Sequence, residues 1–189
     1  MSLVLSLVLA SHLLDPVPAM KPLDLPSLWM QPEEFVTKRF GPPLKREMFK
    51  MRGAGVGSEP TDFVRLGFSN IKGFRVVWIM LTSSPNQTPK VANIMALMPE
   101  KMTPAEAFKT AGIKLTSKEG LPAAGGGDWG EWKSMVSYRL NDEDRKVLTS
   151  DLATLVEICE VTDATRAREK EIKKGDQYLS VFAEMKDHG

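Results

Sequence analysis

The spacing of apolar and polar positions changes several times along the chain, and each change predicts an element. Phe63–Phe68 and Phe74–Leu81 are rich in β-branched and aromatic residues and are joined by the short polar turn Ser69–Gly73, the signature of paired strands. The second is apolar at consecutive positions, which predicts a central strand. Leu44–Met51 alternates imperfectly and is also expected as a strand. In Val91–Met98 the residues Val91, Ile94, Met95 and Met98 fit a helix, whereas Ala92, Ile94, Ala96 and Met98 fit a strand face. Its short length and bounding prolines favour the strand. Lys133–Leu140 alternates, with Ser134, Val136, Tyr138 and Leu140 on one face and Lys133, Ser137 and Arg139 on the other, which predicts a sheet with one wet face. Val147–Val161 supplies the returning strand.

Helical signals are fewer. Glu33–Phe40 follows Pro32 and stops at Gly41, with Phe35 and Phe40 inward and Val36 as a further candidate for that side. Pro104–Ala111 follows Thr103, with Glu106 placed to complete a capping box, and stops at Gly112. Asp163–Lys174 reads as a polar helix closed by Gly175. Beyond it Tyr178, Val181, Phe182 and Met185 share one helical face, which predicts an amphipathic C-terminal helix.

Met30-Gln31-Pro32-Glu33-Glu34 is echoed about seventy residues later by Met102-Thr103-Pro104-Ala105-Glu106, and Gly41-Pro42-Pro43-Leu44 by Gly112-Ile113-Lys114-Leu115. The echo predicts two tandem units, each a short helix feeding antiparallel strands. The expected fold class is therefore α+β: an antiparallel sheet with short helices on one face and a C-terminal helix. The expected divisions are 1–26, an apolar segment and proline-rich linker; 27–100, a first unit; 101–161, a second; and 162–189, a charged and amphipathic tail.

Leu3–Leu9, extended by Leu13-Leu14, is too short to span a bilayer. Two readings fit. It is the apolar core of a secretory signal, with small-residue sites at Val8-Leu9-Ala10 and Val17-Pro18-Ala19 but no basic residue before Lys21. Alternatively it is a short helix buried or docked on a partner or membrane surface. The first predicts a secreted or periplasmic protein.

Charge narrows the function classes. Lys and Arg total 25 against 24 Asp and Glu, a net charge of +1, so no nucleic-acid partner is expected. The basic stretch Lys38, Arg39, Lys45, Arg46, Lys50 and Arg52 reads as solvated faces. Cys159 is the one cysteine and lies in an apolar run, which predicts an inert buried thiol; His12 and His188 lie near opposite ends. No zinc site of the usual ligands, no other metal site and no cofactor are expected. Arg52-Gly53-Ala54-Gly55-Val56-Gly57 lacks the following helix that a phosphate cradle needs, so it is expected as a loop. Asn86-Gln87-Thr88 is a formal glycosylation sequon.

No nucleophile–base set can be assembled, so an enzyme is not expected, although a mechanism built on carboxylates alone stays open. The expected partner is another protein. Trp129 and Trp132 flank a glycine-rich loop, and Tyr178 and Phe182 lie on the amphipathic tail; these four are the candidate contact residues, together with a sheet face.

The sequence Phe40-Gly41-Pro42-Pro43 after a short helix, with antiparallel strands following and the plan carried twice, resembles the tandem α/β units of the BamE and β-lactamase-inhibitor-protein group. Ala111-Gly112-Ile113 lacks the proline of that turn, and one cysteine cannot form the inhibitors' disulfides. The resemblance spans residues 30–160 and implies a non-catalytic protein-binding module, exported or envelope-associated. The alternative is an accessory subunit of a larger complex, docked through Leu3–Leu14 and the C-terminal helix.

Overall fold

The computed structural model describes residues 20–51, 61–83, 87–114, 132–139, 153–163 and 172–184. The elements, in chain order, are β1 (Lys21–Pro22), α1 (Leu25–Leu28), α2 (Glu33–Phe40), β2 (Lys45–Met51), β3 (Thr61–Phe68), β4 (Ile71–Lys72), β5 (Val76–Thr82), β6 (Lys90–Leu97), α3 (Pro104–Thr110), β7 (Trp132–Arg139), β8 (Ala153–Val161) and β9 (Gln177–Glu184). Seven strands form one sheet in the order β2-β3-β5-β6-β9-β8-β7, antiparallel throughout. The expected antiparallel sheet with short helices is present.

The helices are too short to be stable alone and depend on what they bury. Leu25 and Leu28 of α1, Val36 and Phe40 of α2, and Ala107 and Phe108 of α3 enter one continuous core. The sheet side of that core is the alternate set Val64, Leu66 and Phe68 of β3; Val77, Ile79 and Leu81 of β5; Val156 and Ile158 of β8; and Leu179 and Val181 of β9. Each fully buried aliphatic or aromatic side chain contributes about 1.5–3 kcal/mol. Both halves of the chain feed this one core.

Local signals explain where the helices begin and end. The Thr103 hydroxyl accepts from the Glu106 N–H at 3.3 Å, and Glu106 accepts from the Thr103 N–H at 2.9 Å, which completes the capping box. The Thr103 N–H first, and second the Thr103 hydroxyl, which donates to Glu106 Oε2 at 2.7 Å, hold the Glu106 carboxyl below its ordinary range. Gly41 and Gly112 end their helices at φ 85° and 77°, where a side chain is strained. At Gly112 a Cβ would also lie 3.0 Å from the Asp24 Cα.

The proline-rich stretch expected as a linker closes onto the body. Lys21–Pro22 pairs in parallel with Ile71–Lys72, and Leu23, Leu25, Leu28 and Trp29 are buried in the main core. Arg39 ties the strap down through the Ser27 hydroxyl at 2.9 Å and the Asp24 carboxylate at 3.2 Å. Leu25 N–H donates to the Ala111 carbonyl at 2.8 Å, which joins the strap to the end of α3.

Two expectations are corrected. The C-terminal helix is instead strand β9, paired along Asn93–Leu97 on one side and Ala153–Glu160 on the other. Tyr178 and Phe182 lie on one face of the sheet and Val181 on the other, so they do not share a helical stripe. A strand buried on both faces is apolar at neighbouring positions, and such a run also satisfies helical spacing; the two hydrogen-bonded edges decide between them. In β7, a bulge between Ser134 and Val136 moves these residues to opposite faces, opposite Cys159 and Ile158 respectively. Ser137 is buried, so this face of β7 is not the wet one expected.

Leu3–Leu14, the glycine-rich loops, the sequon asparagine and most of the polar helix 163–174 lie outside the described residues.

Candidate functional site: the helix-free face of the sheet

Strand alternation sends the other half of the side chains to the face that none of the described helices covers. Its register can be followed across all seven strands. One row runs Glu47, Arg65, Met80, Asn93, Phe182, Leu155, Arg139; the next runs Lys45, Gly67, Trp78, Met95, Ser180, Glu157, Ser137. A one-sided antiparallel sheet normally shows polar residues to water. Here Met80, Phe182 and Leu155 are half-buried apolar groups, and Phe63 stacks on its cross-strand partner Phe49 with centroids 5.6 Å apart.

One end of the face is closed by a second apolar cluster of Trp78, Leu97, Cys159, Val161 and Tyr178, against which Ile172 packs. Arg75 fixes the turn beside it by donating to both Asp176 carboxylate oxygens, at 3.3 and 3.0 Å. The Cys159 thiol is fully buried, and desolvation, with the nearby Glu157 charge second, pushes its pKa far above the ordinary range. Such a thiol does not supply a thiolate nucleophile at neutral pH.

The other end is charged. Arg65 donates to Glu47 at 2.8 Å and Lys45 approaches the same carboxylate at 3.0 Å. These two bonds, Lys45 first, hold the Glu47 carboxyl below its ordinary range. The outer edge strand β2 carries further pairs, Arg46 with Glu33 at 2.8 Å and Lys50 with Asp62 at 3.6 Å. Charges along an edge discourage addition of another strand. Lys45, Arg46 and Lys50 of the basic stretch are thus all in ion pairs.

Between these ends lie polar groups embedded in apolar surroundings. Asn93 Oδ1 is buried without a hydrogen-bond partner. Ser137, Glu157 and Ser180, neighbours across three strands, are 6%, 7% and 7% exposed.

Of the four residues named from sequence, Phe182 lies in the half-buried apolar row. Tyr178 is on the same face but buried in the second cluster. Trp132 falls in β7 opposite Val161, and Trp129 lies outside the described residues. The structure adds Phe49, Phe63, Met80, Asn93, Leu155 and Glu157. Their sequence signal was the run of apolar residues on both alternating faces of the inner strands; register was needed to assemble it. Among the described residues no group of three or more His, Cys, Asp or Glu side chains is placed to hold a metal ion. No described helix is long and apolar enough to cross a membrane.

No family model, curated protein or solved structure matches this chain.

Proposed function

We propose that the chain is a non-catalytic protein-binding module, exported or envelope-associated, that takes its partner on the helix-free face of the sheet. The observation that carries this reading is the row Met80, Asn93, Phe182 and Leu155, apolar apart from Asn93, together with the stacked pair Phe49 and Phe63, on a face that would otherwise carry polar side chains. Interfaces place apolar and aromatic anchors at the centre and charges at the rim, and the Glu47–Arg65–Lys45 group supplies such a rim. The Trp129/Trp132 loop is the second candidate contact.

The order of elements supports two similar units of the BamE and β-lactamase-inhibitor-protein kind: α2 is followed by the strands from β2 to β6, and α3 by β7 to β9. The alternative, an accessory subunit of a larger complex, retains only its apolar N-terminal arm, because the proposed C-terminal arm is an interior strand.

The test compares partner recovery by Phe182→Ala and Met80→Ala with that by Leu44→Ala, whose side chain is exposed outside the row. Loss in the first two, with native melting curves and unchanged recovery by the third, is expected. Equal recovery by all three refutes the sheet-face reading; loss only in a Trp129→Ala/Trp132→Ala chain moves the site to the loop. Mass spectrometry of the mature chain tests export: a start at Ser11 or Met20 is expected, and an intact Met1 in the native compartment contradicts it.

A further inference from the structure

The strap and the ends of two helices converge at one corner of the molecule. Lys21 and Pro22 of β1 pair with Ile71 and Lys72 of β4. The Lys21 amine donates to the Arg39 carbonyl near the end of α2. The Arg39 guanidinium donates to the Pro22 carbonyl at 3.3 Å and to the Asp24 carboxylate at 3.2 Å. The end of α3 joins them: the Leu25 N–H donates to the Ala111 carbonyl at 2.8 Å, and a side chain at Gly73, next to Lys72, would collide with Thr110.

The positions brought together are cationic. Lys21, Lys38, Lys72, Lys109 and Lys114 are all exposed, while Arg39 is matched by Asp24. On α3 Glu106 stands one turn before Lys109, and the acids of α2, Glu33 and Glu34, lie in its first turn, away from this end. Among the described residues of these stretches six basic side chains therefore face two acidic ones, Asp24 and Glu106. The whole chain is nearly balanced, with 25 basic and 24 acidic residues, so this is an asymmetry of placement. Apolar groups meet the cations here. Met20 is 51% exposed and Pro22 is exposed beside it. The apolar run 3–14 precedes them in the sequence, and six residue steps, no more than about 22 Å, separate Leu14 from Met20.

Lysine and arginine suit different anions. Bidentate recognition of a phosphate or of a base edge favours the planar arginine fork. The arginine of this corner is engaged with Asp24, and the exposed cations are all lysines. Lysines act as mobile point charges on apolar stems, which matches a diffuse layer of anionic headgroups above an apolar interior.

We propose that this corner rests on an anionic lipid surface, its five lysines meeting the headgroups and Met20 entering the interface. The inference goes beyond the sheet-face reading and does not use its protein partner. It holds for either form of the N-terminus. The uncleaved chain adds the apolar run to the contact, and a chain beginning at Met20 adds an α-amino cation beside Lys21.

The test is co-sedimentation of the full chain with vesicles of phosphatidylcholine alone, or of phosphatidylcholine mixed with phosphatidylglycerol, at low and high salt. Binding to the mixed vesicles that weakens with salt is expected. Each lysine removed is expected to cost about fivefold, so Lys21→Gln/Lys72→Gln/Lys109→Gln loses about a hundredfold. Lys50→Gln/Lys90→Gln, at the opposite ends of β2 and β6, binds like the unchanged chain. All five side chains are exposed, and melting curves check folding; the single substitutions serve if the triple variant does not fold. Equal binding to neutral vesicles, indifference to salt, an unchanged triple variant, or the same loss per lysine in the control overturns the proposal. So does a short DNA duplex that binds as tightly as the mixed vesicles and is released by the same substitutions. Phe182→Ala is expected to keep vesicle binding, so this proposal and the docking reading fail separately.

Discussion

Leu179→Ala asks whether β9 is the strand that joins the two halves of the sheet. Leu179 is fully buried, pairs with Ala96 of β6 on one side and Ile158 of β8 on the other, and enters the main core. Strands β6 and β8 are not neighbours, so every ladder contact between the halves passes through β9. Truncating a buried leucine costs about 2–5 kcal/mol, with the higher values where surrounding backbone cannot relax into the cavity. Two flanking hydrogen-bonded strands restrain that relaxation, so about 3–5 kcal/mol is expected here. That is a large share of a total of roughly 5–15 kcal/mol. Urea unfolding followed by far-ultraviolet circular dichroism and by tryptophan fluorescence measures it. A lower midpoint, unchanged slope and coincident transitions are the expected result. A loss below about 1 kcal/mol, well short of the range for a buried leucine, would refute the interior placement of β9. Separated transitions for the two probes would refute the single cooperative unit.

Gly112→Ala is expected to destabilise more than Gly41→Ala: both lose about 1–2 kcal/mol to the positive φ, but only at Gly112 does the new Cβ press on Asp24, 3.0 Å away, as paired thermal melts will show. Thr103→Ala removes an N-cap and costs about 1 kcal/mol by urea titration. Because the folded Glu106 carboxyl is held below its ordinary range, its contribution is present above that range and lost as pH falls through the folded value; Glu106→Gln should flatten the acid limb of a stability–pH curve. Cys159 works in the opposite sense. Its folded pKa is raised, so the folded chain keeps the proton longer, and stability falls as pH rises above the unfolded thiol value near about 8.5, by about 1.4 kcal/mol per pH unit. Cys159→Ala should remove that alkaline slope, and a slope that persists in the variant would assign it elsewhere.

Much of the scaffold was legible from local chemistry. Pro32, Gly41, Thr103, Glu106 and Gly112 are punctuation that acts within a few residues, and each helix they delimit is where they place it. The strands around Phe63–Phe68 and Val76–Thr82 were legible because β-branched and aromatic residues dominate them. Long-range pairing was not legible. Whether Tyr178–Phe182 is a helix or a strand depends on the open edges of β6 and β8, and those residues lie far away in the chain. The bulge that separates Ser134 from Val136 is likewise set by pairing with β8, since the local alternation continues through it. The candidate site suffered most from this. Met80, Asn93, Phe182 and Leu155 come from four strands and acquire a common meaning only once their register is known. Aromatic residues flanking a loop attract attention in a sequence, whereas a row across a sheet leaves no contiguous trace.

The central claim is that the partner sits on the helix-free face, and site-specific photo-crosslinking in the native compartment tests it most directly. A benzophenone side chain is placed singly at Met80, Phe182 or Phe63 on that face, and at Met48, which is 69% exposed on the other side of edge strand β2. One discrete protein adduct is expected from the three face positions and none from Met48. An adduct from Met48 alone, or equal adducts from all four, would contradict it.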